Sequence, residues 1–570
     1  MKLNVIDNGW RSHAALLERT CRQRIPLADG ETLQIELGVD ASLGSAESYC
    51  ISRCASGWRI VGSDEAGLYF GIGKFLHTAR WSEDDFVPSP PSGVVTPACS
   101  FRAIYFAVHL HNWYASASAA ELGQYIEELM LWGYNTAVLI LPVIDLFSFD
   151  SEAAHEVIGK CREIYQLARQ RGMRVGIIIC PNQGLRSMPQ KWAAEPPFDP
   201  ERTRGNAGMN VCPAKEGAVD YLRSVWLEML RPFADIGLDY LVTWPYDEGG
   251  CGCADCLPWG GRGYADLVRL LDEEARQIYP AIKTIVSTWT FDRPEGQGEF
   301  DLLYRRLGED LEKISYVMVD AHGDYPRYPL EHERVRPVVN FPEISMWRLF
   351  PWGGYGANPL PARFHRIWNS AKSILDGGMP YSEGMYEDIS KIQFVGYYWE
   401  PDRSWQDILA EYISYEVSPD AVEQVLSMVE LIERNHVAVG EAREPDPALA
   451  AEGARIAREV DAHLGARARA AWRWRLLYIR AILDGKRYAY YARAGMHGEA
   501  DLKEFRYFSS DYLADDAEAQ SLLQELRVLY HCVPFNGRNQ HTLAFAGEAT
   551  RLGNGDTLAD YRRRIAEAKK

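Results

Sequence analysis

Eight short apolar runs, each followed by a stretch of helical period, fill the middle of the chain and restrict its fold more than any other feature. They are FRAIYFAVHL (101–110), NTAVLILPV (135–143), RVGIIICPN (174–182), LDYLVTWPYDE (238–248), KTIVSTWTF (283–291), ISYVMVDAHG (314–323), PVVNFPEISM (337–346) and GGMPYSEGMYED (377–388). Near-continuous apolar runs are the mark of parallel strands buried on both faces. AAELGQYIEELMLWG and ADLVRLLDEEARQIYP, lying between runs, carry apolar residues three and four apart. Eight strand–helix units over roughly 290 residues predict a (β/α)8 barrel. The competing open, doubly wound sheet lacks its glycine-rich phosphate loop after the first run.

The flanks differ in texture. ETLQIELGV and SYCISRCASGWRIVGS alternate apolar and polar residues at period two, and DEAGLYFGIGKFLHTARW follows as a helix. The proline-rich stretch VPSPPSGVVTPA ends this region. Beyond Trp399 the chain reads as helices, including SWQDILAEYISYEV and a long stretch over 446–483. The fold class is α/β: an N-terminal α/β domain (1–98), a (β/α)8 TIM barrel (99–395) and a C-terminal helical domain (396–570).

Composition narrows the function classes. Hydrophobic residues make up 47% and charged residues 25%, as in a globular chain, and the net charge of −18 argues against a nucleic-acid partner. Eleven cysteines spread over 570 residues do not form a disulfide framework. Neither a secretory leader nor an apolar run of about 20 residues is visible, so a cytoplasmic protein without a membrane partner is expected. A homo-oligomer stays open.

A barrel of this kind carries its site at the C-terminal ends of the strands. The polar residues ending the runs are His109 and His111; Asn182 and Gln183; Trp244, Tyr246, Asp247 and Glu248; Trp289 and Asp292; Asp320 and His322; Asn340 and Glu343; Tyr381, Glu383, Tyr386, Glu387 and Asp388. Carboxylates, amides, imidazoles and indoles on one rim suit a polyhydroxylated ligand, whereas a phosphate site would call for Arg, Lys and glycine-rich turns. Trp244, Trp289, Trp352 and Trp399 are candidate sugar platforms.

TWPYDEGG is the sharpest element. Adjacent carboxylates at a strand end point in different directions, so one of them faces a scissile bond. Glycosidic cleavage needs a protonated acid at the leaving oxygen and a second group to manage developing positive charge. Glu248, followed by Gly249 and Gly250 that would let a ligand approach, fits the acid; Asp247 fits a group that orients the substrate. A helix cap or salt bridge is the structural alternative for either one. Glu387 and Asp388 are likewise candidate caps of the following helix.

CGCADCLPWGG places Cys251, Cys253 and Cys256 directly after that pair. Three thiols so close suit a structural zinc, with Cys212 or Cys180 as the fourth ligand, or else three reduced buried thiols. The proposed catalysis itself takes no cofactor.

SYCISRCASGWRIVGSDEAGLYFGIGKFLHTARW resembles the small α/β domain preceding the barrel in family 20 hexosaminidases and family 67 α-glucuronidases. Asp247-Glu248 resembles the Asp-Glu pair of family 20, although Trp244-Pro245-Tyr246 replaces that family's His-Gly-Gly lead-in. The resemblance implies an exo-acting glycoside hydrolase that removes a terminal N-acetylhexosamine from a small oligosaccharide or glycoconjugate. Catalysis would be retaining and substrate-assisted, with Glu248 as general acid/base and Asp247 orienting the acetamido group. The helical C-terminal region resembles the α-glucuronidases more. That implies an inverting enzyme with Glu248 as acid and Asp320, Glu383 or Glu387 as base. A non-catalytic carbohydrate-binding barrel and a metal-dependent hydrolase using His109 and His111 are the remaining alternatives.

Overall fold

The computed structural model describes residues 2–24, 32–55, 57–82, 86–108, 113–143, 146–195, 210–246, 249–292, 298–321, 325–345, 357–382, 387–436, 444–496 and 513–530. The N-terminal sheet contains β1 (Lys2–Ile6), β2 (Thr32–Val39), β3 (Tyr49–Cys54) and β4 (Gly57–Gly62), while β5 (Arg80–Trp81) and β6 (Phe86–Val87) form a separate ribbon. With β7 (Val94–Val95) the sheet runs in the order β1-β2-β4-β3-β7. β1 pairs parallel to β2 and β2 to β4, while β3 is antiparallel to both β4 and β7. The helix Glu65–His77 packs on it, capped by Asp64, whose carboxylate accepts from the Gly67 N–H at 2.7 Å.

The eight apolar runs form a closed parallel barrel. Its strands are β8 (Phe101–Phe106), β9 (Thr136–Ile140), β10 (Arg174–Ile179), β11 (Tyr240–Thr243), β12 (Lys283–Ser287), β13 (Ile314–Ala321), β14 (Val338–Ser345) and β15 (Leu375–Gly378). Each pairs with the next, and β15 closes on β8 with Gly377 opposite Phe101. Only glycine serves there: its φ is +144°, and a Cβ would sit 1.9 Å from the Phe101 carbonyl oxygen. The eighth run splits, and the short β16 (Tyr381–Ser382) continues beside β14.

The N-terminal α/β region packs against the bottom of the barrel through Glu47. Arg102, fully buried, donates to Glu47 at 2.7 Å, to the Gly133 carbonyl and to the Cys99 carbonyl, and Arg174 donates to Glu47 at 2.7 Å. Burial opposes the Glu47 charge, but Arg102 and Arg174 together hold its carboxyl below the ordinary range. Trp399, a candidate platform from sequence, lies here and not at the mouth. Its ring stands 4.8 Å from the Arg102 guanidinium and its indole N–H donates to the Gly133 carbonyl.

Of the C-terminal helices, Trp405–Glu416 and Val422–Asn435 pack against the barrel helix Pro361–Ala371, and Pro447–His463, Trp472–Arg493 and Ala517–Tyr530 stack on in turn. The long helical stretch over 446–483 breaks at Leu464-Gly465, where the backbone turns extended. Arg473 docks this region. It reaches Asp388 at 2.6 Å, Glu128 at 2.8 Å and Glu416 at 3.6 Å. Among the described residues, no helix is long and apolar enough to cross a membrane.

Candidate active site

Strand alternation sorts the side chains at the barrel mouth. Register partners in a parallel pair share a face, so Asp320 lies beside Phe341, and Glu343 beside Tyr381. Ring contacts fix that face as inward. Trp289 stands 5.6 Å from Trp244, Trp244 4.8 Å from Phe341, Phe341 5.4 Å from Tyr381, and Tyr381 5.2 Å from Tyr105. Five rings from five strands or strand ends thus form one continuous aromatic wall, bordered by the buried carboxylates Asp320 and Glu343. Of these, Trp244, Trp289, Tyr381, Asp320 and Glu343 are expected from sequence. Tyr105 and Phe341 are additions, which strict period-two counting along their runs would have reached.

The turn after β12 is strained. Thr290 and Asp292 have φ of +58° and +53°, costly for a β-branched threonine above all. The Thr290 N–H points to the Asp320 carboxylate at 3.4 Å, and the Asp292 N–H donates to Glu299 at 2.8 Å.

Glu299 was not expected from sequence. It is fully buried and accepts from the Tyr246 hydroxyl, the Gly260 N–H at 2.9 Å and the Asp292 N–H. One carboxylate therefore holds the long loop after β11 against the turn after β12. Tyr246, expected to touch substrate, gives its hydroxyl to this anchor. Asn182, also expected to touch substrate, is likewise occupied by backbone. Its amide donates to the Val211 and Gly250 carbonyls at 3.1 and 2.9 Å and accepts from the Gly250 N–H at 3.0 Å. Both residues position the loop that carries the acid pair.

The glycines after that pair serve the chain's own turn. A Cβ on Gly249 would lie 2.6 Å from the Pro245 carbonyl oxygen, and Gly250 has φ of +117°.

Glu387 occupies the N-cap position of the helix Asp388–Trp399 without capping it; its carboxylate instead accepts from the Ser382 hydroxyl at 2.9 Å. Asp388 does not cap either, because it is bound by Arg473 and by the Tyr125 and Tyr412 hydroxyls. One turn along, Lys391 donates to Tyr114 at 2.6 Å and to Tyr125 at 3.2 Å. Burial pulls its amine down to about 8, although Glu387 and Asp388 act to raise it. Lys391 was not expected from sequence; its i,i+4 spacing from Glu387 is the signal that could have found it.

The thiols expected as a cluster come together. The sulfurs of Cys212, Cys251, Cys253 and Cys256 all lie within 4.8 Å of one another, a group able to hold a metal ion; Cys180 lies outside it. Cys251 is pushed down to about 5, chiefly by the hydrogen bond from Cys256, while burial pushes Cys212 up to about 12. His109, His111, Asp247, Glu248, His322, Glu383 and Tyr386, with Trp352, lie outside the described residues.

No family model and no curated protein matches the chain. Solved structures share its fold at low identity. The GH89 enzyme of Clostridium perfringens, in complex with its substrate GlcNAc-alpha-1,4-galactose, is 11% identical with a TM-score of 0.58, covering 94% of this chain and 72% of that one. A GH138 enzyme targeting pectin rhamnogalacturonan II is 12% identical with a TM-score of 0.50, covering 99% and 78%. The GH20 exo-β-N-acetylglucosaminidase of Vibrio harveyi, in complex with N-acetylglucosamine, is 13% identical with a TM-score of 0.50, covering 76% and 74%. All three are glycoside hydrolases.

Proposed function

We propose that the chain is an exo-acting glycoside hydrolase that removes a terminal sugar, N-acetylhexosamine first, from an oligosaccharide or glycoconjugate. The observation that carries this reading is the five-ring wall beside inward carboxylates at the barrel mouth. Sugar rings offer C–H faces to such a wall and hydroxyls to such carboxylates. Glu248 follows β11 at the same end of the barrel in sequence. It protonates the leaving oxygen as the 2-acetamido oxygen attacks the anomeric carbon, held in place by Asp247. Glu248, now a carboxylate, then takes the proton of the water that opens the cyclic intermediate, and configuration is retained. None of these steps takes a cofactor, and a zinc ion held by the four cysteines would be structural.

The inward Asp320 favours a second reading, an inverting enzyme in which Asp320, Glu383 or Glu387 activates water opposite Glu248. Inversion needs carboxylates about 6.5–9.5 Å apart. A nitrophenyl glycoside panel, followed by NMR of the first-formed anomer, separates the two. Retention on N-acetylhexosaminides supports the first reading, and inversion, or turnover of uronides alone, supports the second. Sugar binding without turnover would overturn both in favour of a binding barrel.

A further inference from the structure

Among the described residues between β11, ending at Thr243, and the helix Gly263–Ile278 there is no regular element, yet most of them are buried. Loops of this length in compact domains need a constraint of their own. We propose that Cys212, Cys251, Cys253 and Cys256 bind one zinc ion tetrahedrally and that this ion clamps the loop carrying Asp247 and Glu248 to the segment ending at Cys212.

The geometry is that of co-ligands. Four sulfurs at about 2.3 Å from a tetrahedral zinc stand about 3.8 Å from one another. Here the Cys212 and Cys253 sulfurs are 3.7 Å apart, and all four fall within 4.8 Å. A disulfide would need about 2.05 Å. An all-thiolate set selects zinc or iron over oxygen-seeking cations. Backbone N–H groups already point at the sulfurs, from Ala214 to Cys212 and from Cys253 and Glu195 to Cys251, as electron-rich thiolates require.

The clamp joins two segments that hydrogen bonds also join. Gly252 N–H donates to the Glu195 carbonyl at 3.0 Å, and Asn182 bridges Val211 and Gly250. Only Gly249 and Gly250 separate Glu248 from the first ligand of the loop, so the ion fixes the acid's place without touching substrate. The site goes beyond the hydrolase reading, and its metal readouts do not depend on turnover.

The test measures metal in the full chain purified under reducing conditions without added chelator. About one zinc per chain is expected, with cobalt exchange giving the visible bands of a tetrahedral tetrathiolate site. Cys253→Ser should lose most of the zinc. Stripping zinc from the unaltered protein should make four thiols reactive and speed hydrogen exchange in residues 210–212 and 249–256, leaving the barrel strands protected. The stripping arm keeps the test decisive should the variant fail to fold. Iron in place of zinc, a Cys212–Cys253 disulfide, or no metal uptake by reduced protein would overturn the proposal. Bound zinc with unchanged exchange would overturn the clamp. Zinc present in a protein that cleaves no glycoside would leave this site standing and sink the hydrolase reading alone.

Discussion

Removing the Glu299 carboxylate should loosen the mouth of the barrel more than any change to a surface residue. Its two oxygens divide their work: Oε1 accepts from Tyr246 and Gly260, and Oε2 accepts from Asp292. In Glu299→Gln the amide oxygen can keep Tyr246 and Gly260, while the NH2 group meets the Asp292 N–H. One charge-assisted bond is lost and one buried donor is orphaned, a cost of about 1–3 kcal/mol. Glu299→Ala orphans all three donors and leaves a cavity, for about 3–5 kcal/mol. Thermal unfolding followed by circular dichroism should rank the melting temperatures wild type, Gln, Ala, with the alanine variant lower by at least about 5 °C. Because Tyr246 and Gly260 belong to the loop that carries Asp247 and Glu248, turnover should fall in the same order. Equal melting of the two variants, or a loss under about 0.5 kcal/mol for alanine, would refute the anchoring role.

Three further outcomes are expected. Lys391 stands at about 8 in the folded chain against 10.5 unfolded, so the unfolded chain binds the extra proton between those values. Stability should therefore rise with pH from 8 toward 10.5 by about 3 kcal/mol, and Lys391→Met should flatten that rise in pH-dependent urea melts. Arg473→Met leaves the buried Asp388 without its paired guanidinium and Glu416 with Arg24 alone, and should cost about 3–5 kcal/mol, read by the same melts. Trp289→Ala removes one end of the aromatic wall and should raise KM roughly 10-fold with little change in kcat, checked by steady-state kinetics.

The barrel was legible in the sequence because parallel strands buried on both faces need unbroken apolar runs, and all eight runs became barrel strands. The strand β1 escaped notice because KLNVI is short and stands apart from its parallel partner β2, with which it pairs only after the crossover helix Arg11–Arg24. At the site, local motifs were readable: Trp244 and Trp289 end strands, and Cys251, Cys253 and Cys256 share one short loop. Residues whose role depends on distant partners were not. Glu47 meets Arg102 across 55 residues, Asp388 meets Arg473 across 85, and Tyr114 meets Lys391 across 277. Polar residues such as Asn182 and Tyr246 were placed correctly at strand ends, but nothing in their neighbours showed that backbone and Glu299 would occupy them. Hydrogen-bond satisfaction is a property of the folded surroundings, and a linear pattern does not carry it.

Leaving-group dependence tests most directly whether Glu248 is the proton donor of a glycosidase. Turnover of a terminal glycoside by the wild-type chain and by Glu248→Gln should be compared for a poor alkyl leaving group and for dinitrophenolate. A lost general acid should cost about 10²–10⁴-fold with the poor leaving group and far less with dinitrophenolate, which departs without a proton. An equal loss on both substrates, or a Gln variant as active as wild type, would contradict the assignment.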